Sequence, residues 1–320
     1  MLKLSSHGIN HERANVSSNY VALLLAGGDG VRLRELTREI AGTPIPKQYC
    51  KLWYGSSLLE STLTRANLFA PRDRISVIVN QDHLHLAREQ LSSLPESNIL
   101  VQPLNRDTGP GMLFSLLNLE RRYPGAIVVA LPTDHFVDND RAFMAHVLRG
   151  VGIITRMPDK IAVLGISPDR PETGYGYILP ADPLVSSEKA YYVEAFEEKP
   201  DLINAQEIIS RGGLWNTFVM VFKISRMLEL VGNLVPHHLE RLSILEAFPE
   251  KAAEIYRDLE SWNLSIEVLS KIPEHLIMLE VANVHWSDWG TRESVERTYK
   301  TLNMVPFWTS SNSVSNSLPG

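Results

Sequence analysis

Five short apolar runs punctuate the first half of the chain, at 21–25 (VALLL), 74–79 (RISVIV), 98–101 (NILV), 126–132 (AIVVALP) and 160–165 (KIAVLG). Between them lie stretches with helical spacing or length, at 57–69 (SLLESTLTRANLF), 82–91, 110–121 and 140–155. Runs this short and this apolar suit strands buried on both faces, and strands alternating with helices predict an α/β fold. The expected architecture is Rossmann-like: a mostly parallel sheet with helices on both faces, joined by right-handed crossovers. In such sheets ligands bind beyond the carboxyl ends of the strands.

Two strand ends carry candidate chemistry. The first is Ala26-Gly27-Gly28-Asp29-Gly30, directly after the first strand, where glycines let backbone amides approach a phosphate. Arg32 and Lys47 add positive charge beyond it. No Gly-Lys-Ser/Thr follows, so this is not a P-loop. The immediate helix of a dinucleotide fingerprint is expected to be replaced by a long loop through Pro44, Pro46 and Lys47. The second end is Thr133-Asp134-His135, where a carboxylate emerges from the most strand-like run in the chain.

From 166 the texture changes. The Pro-, Gly- and Tyr-rich segment before the alternating run 191–201 predicts antiparallel ribbons laid over the parallel sheet. A strand with Trp215, Asn216 and 218–222 follows, then one long helical stretch over 225–259. A strand at 276–281, the segment HWSDWGT and a closing helix over 292–302 complete the pattern.

A formal charge of −6 argues against a duplex nucleic acid partner and favours small-molecule chemistry. The single cysteine, Cys50, cannot form an internal disulfide, and no run reaches the roughly 20 apolar residues of a membrane span, so a cytoplasmic location is expected. Residues 1–18 are too polar to order and are expected to be a disordered arm; 306–320 are expected to be a flexible tail. That leaves one domain over 19–305, with apolar faces in 225–259 that offer a homodimer interface.

The ordered motifs AGGDGVRL, PKQ, DTGPG, LPTDH, TGYGYI, EKPD, WN and WSDWGT resemble the sugar-1-phosphate nucleotidyltransferases. PKQ, DTGPG and LPTDH look closest to the mannose-1-phosphate guanylyltransferase branch, the GDP-mannose pyrophosphorylases. The likeness runs over 20–298. It implies a nucleotide-diphospho-sugar transferase fold with the ribbons covering the sugar site. It also implies a reaction joining a sugar 1-phosphate, here mannose 1-phosphate, to a nucleoside triphosphate, here GTP, with release of pyrophosphate.

The chemistry agrees with that resemblance. The nucleophile is a phosphate oxygen with a second pKa of about 6, so a general base is dispensable. Two polyanions must instead be brought together by cations and fixed donors. The resemblance gives Arg32, Lys47, Asp134 and Asp288 the catalytic roles, with the two aspartates sharing a Mg²⁺ ion. His135 is read as positioning its loop rather than as a ligand or base.

Ala26, Gly27, Gly28, Gly30, Gln102, Thr108 and Gly109 are expected at the nucleotide, and Gly174, Glu198, Lys199 and Asn216 at the sugar phosphate. Tyr175 and Tyr177 fit either core or sugar platform. Three positions depart from the family pattern: Arg34-Glu35-Leu36-Thr37 where a proline and a small polar pair are usual, Phe218 where Asn-Ser-Gly has its glycine, and Trp289 for a small aliphatic residue. Two alternatives stay open: uridylyl or thymidylyl transfer to glucose 1-phosphate, and, motivated by the departures at Glu35 and Phe218, a catalytically silent relative that binds a nucleotide sugar as a regulatory or scaffold subunit.

Overall fold

The computed structural model describes residues 19–185 and 189–310. The expected arm and most of the expected tail lie outside those residues. Among the described residues there are eleven strands: β1 (Tyr20–Ala26), β2 (Ile75–Asn80), β3 (Ile99–Gln102), β4 (Ile127–Pro132), β5 (Phe136–Val137), β6 (Ile161–Ile166), β7 (Gly176–Val185), β8 (Ala190–Glu198), β9 (Leu214–Lys223), β10 (Leu276–Val281) and β11 (Trp286–Ser287). Nine of them form one sheet in the order β3-β2-β1-β4-β9-β6-β10-β8-β7. β1 pairs in parallel with β2 and β4, β2 with β3, and β6 with β10; β9 runs antiparallel between β4 and β6.

The period-2 alternation of a strand explains the layering. Ala22, Leu24 and Ala26 face one buried cluster, with Leu59 and Leu63 from the helix Leu58–Ala66 and Val147 and Val151 from the helix Asp140–Arg156. Val21 and Leu23 face the opposite cluster, with Leu113 and Leu116 from the helix Thr108–Arg122. Helices therefore cover both faces. At β2 and β6 every residue is buried, so those strands carry continuous apolar runs.

The expected antiparallel ribbon is β7–β8, joined to the main sheet through both of its strands: β8 pairs with β10, and β7 with β9 through Tyr177↔Trp215 and Ile178↔Leu214. Three expectations need correction. The glycine loop does run into a helix, Arg34–Ala41, after one 3-10 turn, so Glu35 is an exposed helix residue. The stretch 225–259 is three helices, Ile224–Leu234, Pro236–Ala247 and Ala252–Asp258, because Pro236 and Pro249 lack the N–H that a helix interior needs. The order also continues past 305: in the one-turn helix Phe307–Ser310, Trp308 is buried and meets Tyr299 edge to face at 5.3 Å.

Tyr299 and Trp308 belong to a third cluster that joins Leu33, Leu36 and Leu52 to Trp289 and the closing helix Arg292–Thr301. Trp289 is its anchor. Its fully buried ring stacks on Phe136 at 4.9 Å and its indole N–H donates to Thr298 Oγ1 at 2.9 Å. That packing accounts for one of the three departures from the family pattern.

Candidate active site

A cleft of about 650 Å³ opens at the carboxyl ends of β1 and β4. Its first wall is the glycine loop, held from behind by side chains. The Gln48 amide donates to the carbonyls of Ala26 (3.2 Å) and Gly28 (2.6 Å), Tyr49 OH to Ala26 (3.1 Å), and the Asn80 amide to Gly27 (2.7 Å). In a trans peptide the C=O and N–H point opposite ways. The amides of Gly27, Gly28 and Asp29 are thus turned away from these anchors, and all three residues line the cleft.

Asn80 also fixes the next member. The Gln102 amide donates to Asn80 Oδ1, which leaves Gln102 Oε1 buried without a partner beside Gly111. A buried acceptor of this kind suits a base N–H. Thr108 lines the cleft and its hydroxyl accepts from the Leu264 amide at 3.0 Å.

The carboxylates lie where the two halves meet. Lys47 is buried; its ammonium lies 3.2 Å from Asp134 Oδ2 and donates to the backbone carbonyls of Asp288 and, at 3.3 Å, Trp289. Asp288 Oδ1 accepts from Tyr175 OH (2.7 Å) and from the Gly290 amide (2.9 Å), while Oδ2 faces the Arg32 guanidinium at 3.6 Å. Burial pushes the Asp134 carboxyl up, but the Lys47 ammonium and the hydrogen bonds to the carboxylate outweigh burial and hold it below the usual carboxylate range. Burial keeps His135 neutral, its pKa below the ordinary value. Two carboxylates on one cleft are a hard oxygen donor set that fits a divalent cation.

The far wall is the sugar-side set. Gly174, Gly176, Glu198, Lys199 and Asn216 all line the cleft, with Lys199 Nζ 3.4 Å from Glu198 Oε1. A Cβ on Gly176 would lie 2.7 Å from Glu198 Oε2 and 3.4 Å from Asn216 Cβ, so glycine there is what lets both side chains sit side by side. Asn216 Oδ1 accepts from the Phe218 amide at 3.0 Å. Phe218 lines the cleft with φ of 56°, a left-handed conformation that costs a bulky residue about 1–3 kcal/mol.

Of the residues named from sequence, the structure gathers Gly27, Gly28, Arg32, Gln102, Thr108, Asp134, Gly174, Glu198, Lys199, Asn216 and Asp288 on one cleft, with Lys47 buried beneath it. Three others sit behind it. Ala26 is fully buried and serves as the loop's anchor point. Gly30 makes room for the backbone of Lys47, 2.7 Å from where its Cβ would be. Gly109 packs on Trp262, whose carbonyl accepts its amide at 3.1 Å, and a Cβ would fall 2.2 Å from the indole.

Sequence reasoning did not assign Gln48, Asn80, Tyr175, Gly176 or Gly290, which hold the named residues in place. Four of the five stood inside motifs already quoted, Gln48 in PKQ, Tyr175 and Gly176 in TGYGYI and Gly290 in WSDWGT, and only Asn80 lay outside them all.

The α/β fold thus brings a strand-end glycine loop, two carboxylates and the Glu198–Lys199 wall onto one cleft. The chain belongs to the nucleotidyl transferase family, whose model matches residues 21–303. It is 35% identical over 222 residues to the xanthan biosynthesis protein XanB of Xanthomonas campestris pv. campestris (strain B100), covering 68% of this chain and 45% of that protein. It is 28% identical over 298 residues to a mannose-1-phosphate guanylyltransferase of Escherichia coli, covering 88% of this chain and 61% of that one. The chain thus spans about half the length of these curated relatives. A solved structure described as mannose-1-phosphate geranyltransferase from Thermus thermophilus superposes with a TM-score of 0.78 at 31% identity, over 88% of this chain and 79% of that one.

Proposed function

We propose that this protein joins mannose 1-phosphate to the α-phosphate of GTP, giving a nucleotide sugar and pyrophosphate. The observation that carries the reading is the placement of Lys47, whose buried ammonium pairs with Asp134 and is bound to the backbone at Asp288. It lies between a wall of loop amides suited to a triphosphate and a Glu198–Lys199 wall suited to a hydroxylated phosphate ester. The name of the mannose-1-phosphate guanylyltransferase relative supports the choice of sugar and base.

The attacking oxygen of a sugar phosphate is already substantially anionic at neutral pH, so this chain's work is binding and alignment. Asp134 and Asp288 would hold Mg²⁺, which when bound supplies the charge that lets two polyanions approach. Arg32, more than half exposed at the cleft mouth, neutralises the outer phosphates as they arrive. The Gln102 Oε1 acceptor meets a base N–H, and the Glu198 carboxylate accepts from sugar hydroxyls.

A panel of four triphosphates crossed with mannose and glucose 1-phosphates, scored by pyrophosphate release, tests the reading. GTP with mannose 1-phosphate is expected to be the best pair, and Asp134→Ala to abolish release. A best pair of UTP or dTTP with glucose 1-phosphate moves the assignment to that chemistry. Binding with no release from any pair identifies a silent relative.

A further inference from the structure

Phe218 is anomalous in a way that burial does not explain. It sits inside β9 with φ of 56°, and the neighbouring strand β6 breaks register between Val163 and Gly165 alongside it. Trp289 also has a positive φ, but its ring is wholly buried and hydrogen-bonded, so packing offsets the strain there. The Phe218 ring is only partly buried and forms part of the cleft wall. A strained backbone that persists at a binding surface without a fully packed side chain points to a role in the site.

Its position suggests which ligand it meets: β9 pairs with β4 as far as Ala130↔Met220, and beyond that pair Phe218 lines the same cleft as Pro132 and Asp134. Two residues before it is Asn216, whose Oδ1 takes the Phe218 amide and whose Nδ2 is left to donate toward the sugar side. Glycine is the residue that adopts this φ without cost, and it would leave the space open.

We infer that Phe218 sets the sugar selectivity of this cleft by closing, with an apolar ring, space that a glycine would leave open beside Asn216. This deepens the proposed reaction and rests on it. A sugar hydroxyl directed at the ring loses its water partners and gains none, so sugars that differ in the hydroxyl on that side are rejected. A sugar that turns only C–H groups to the ring is accepted.

The test compares wild type with Phe218→Gly and Phe218→Asn, both of which tolerate a left-handed φ, and with Phe218→Leu, which keeps apolar bulk; folding of each is checked by thermal unfolding. Four sugar 1-phosphates (mannose, glucose, galactose and N-acetylglucosamine) are assayed by pyrophosphate release and, independently, by calorimetric binding. In the Gly and Asn variants the preference for the best sugar over the next is expected to fall about 10-fold, with KM for the triphosphate changing less than about 2-fold and Phe218→Leu in between. An unchanged sugar preference in folded Gly and Asn variants overturns the inference while leaving the reaction standing. Equal shifts for sugar and triphosphate overturn it too, because they mark a purely structural residue. A wild-type protein that neither binds nor turns over any sugar 1-phosphate overturns the reaction and the inference with it.

Discussion

Asp288 shows how much of the site depends on single hydrogen bonds. Its Oδ1 is fixed by Tyr175 OH at 2.7 Å and by the Gly290 amide, and burial together with the Asp288 charge raises the Tyr175 pKa, so the phenol stays a donor. Removing a hydrogen bond to a charged group costs about 1.5–3 kcal/mol, or roughly 10–100-fold. Tyr175→Phe is therefore expected to lower kcat at least about 10-fold and to raise the Mg²⁺ concentration needed for half activity, read from pyrophosphate release across a metal titration. An unchanged metal dependence would show that Asp288 is held well enough by Gly290 alone.

Gly109 makes the opposite case. Read from sequence it belongs to the nucleotide loop, yet in the fold it abuts Trp262, which no local pattern could reveal because the two are distant in sequence. Gly109→Ala is expected to overpack that contact by about 1–3 kcal/mol and lower Tm by several degrees. The charged residues of the cleft were legible because their chemistry is scarce and their motifs are ordered. Supporting residues such as Asn80 were not, since an amide becomes a clamp only when folding brings a carbonyl to it.

At the level of elements, local signals located what they encode. The helix Leu58–Ala66 begins where Ser57 and Glu60 form a reciprocal capping box, and β10 coincides with the apolar run 276–281. Ser57→Ala removes the cap and is expected to cost about 1 kcal/mol, lowering Tm by a few degrees in thermal unfolding without changing the KM of either substrate. What local signals did not locate depends on distant partners. The helix Arg34–Ala41 buries only Leu36 and Thr37, too short an apolar face to stand out between Gly30 and Gly42. The two-residue ribbon β5–β11 exists only because Phe136 and Ser287 are brought together from far along the chain. Trp308 lay in a polar tail by composition, and its aromatic neighbours Tyr299 and Phe307 give it a place.

Across the whole molecule, three histidines outside the cleft pull stability in one direction as pH changes. His83, His146 and His238 all have pKa values lowered from 6.5, in each case chiefly by burial. A group whose folded pKa lies below its unfolded value leaves the unfolded chain holding more protons in between. Its contribution is therefore present in full above pH 6.5 and is lost as pH falls from there toward the folded pKa values. Tm is expected to be highest at neutral to mildly alkaline pH and to fall steadily between about pH 6.5 and pH 5, before most carboxylates titrate. His146 is the histidine best suited to isolate the effect. Its Nδ1 accepts from Arg149 at 3.1 Å, so its Nε2–H donates to the Ala282 carbonyl at 3.1 Å, tying the helix Asp140–Arg156 to the end of β10. Protonation puts a hydrogen on Nδ1 and turns the Arg149 contact into like-charge repulsion. His146→Gln keeps an amide donor toward Ala282 with no titration, so the slope of Tm against pH below 6.5 is expected to become shallower than in wild type. A wild-type Tm that stays flat or rises on acidification across that window would show that other groups set the pH response.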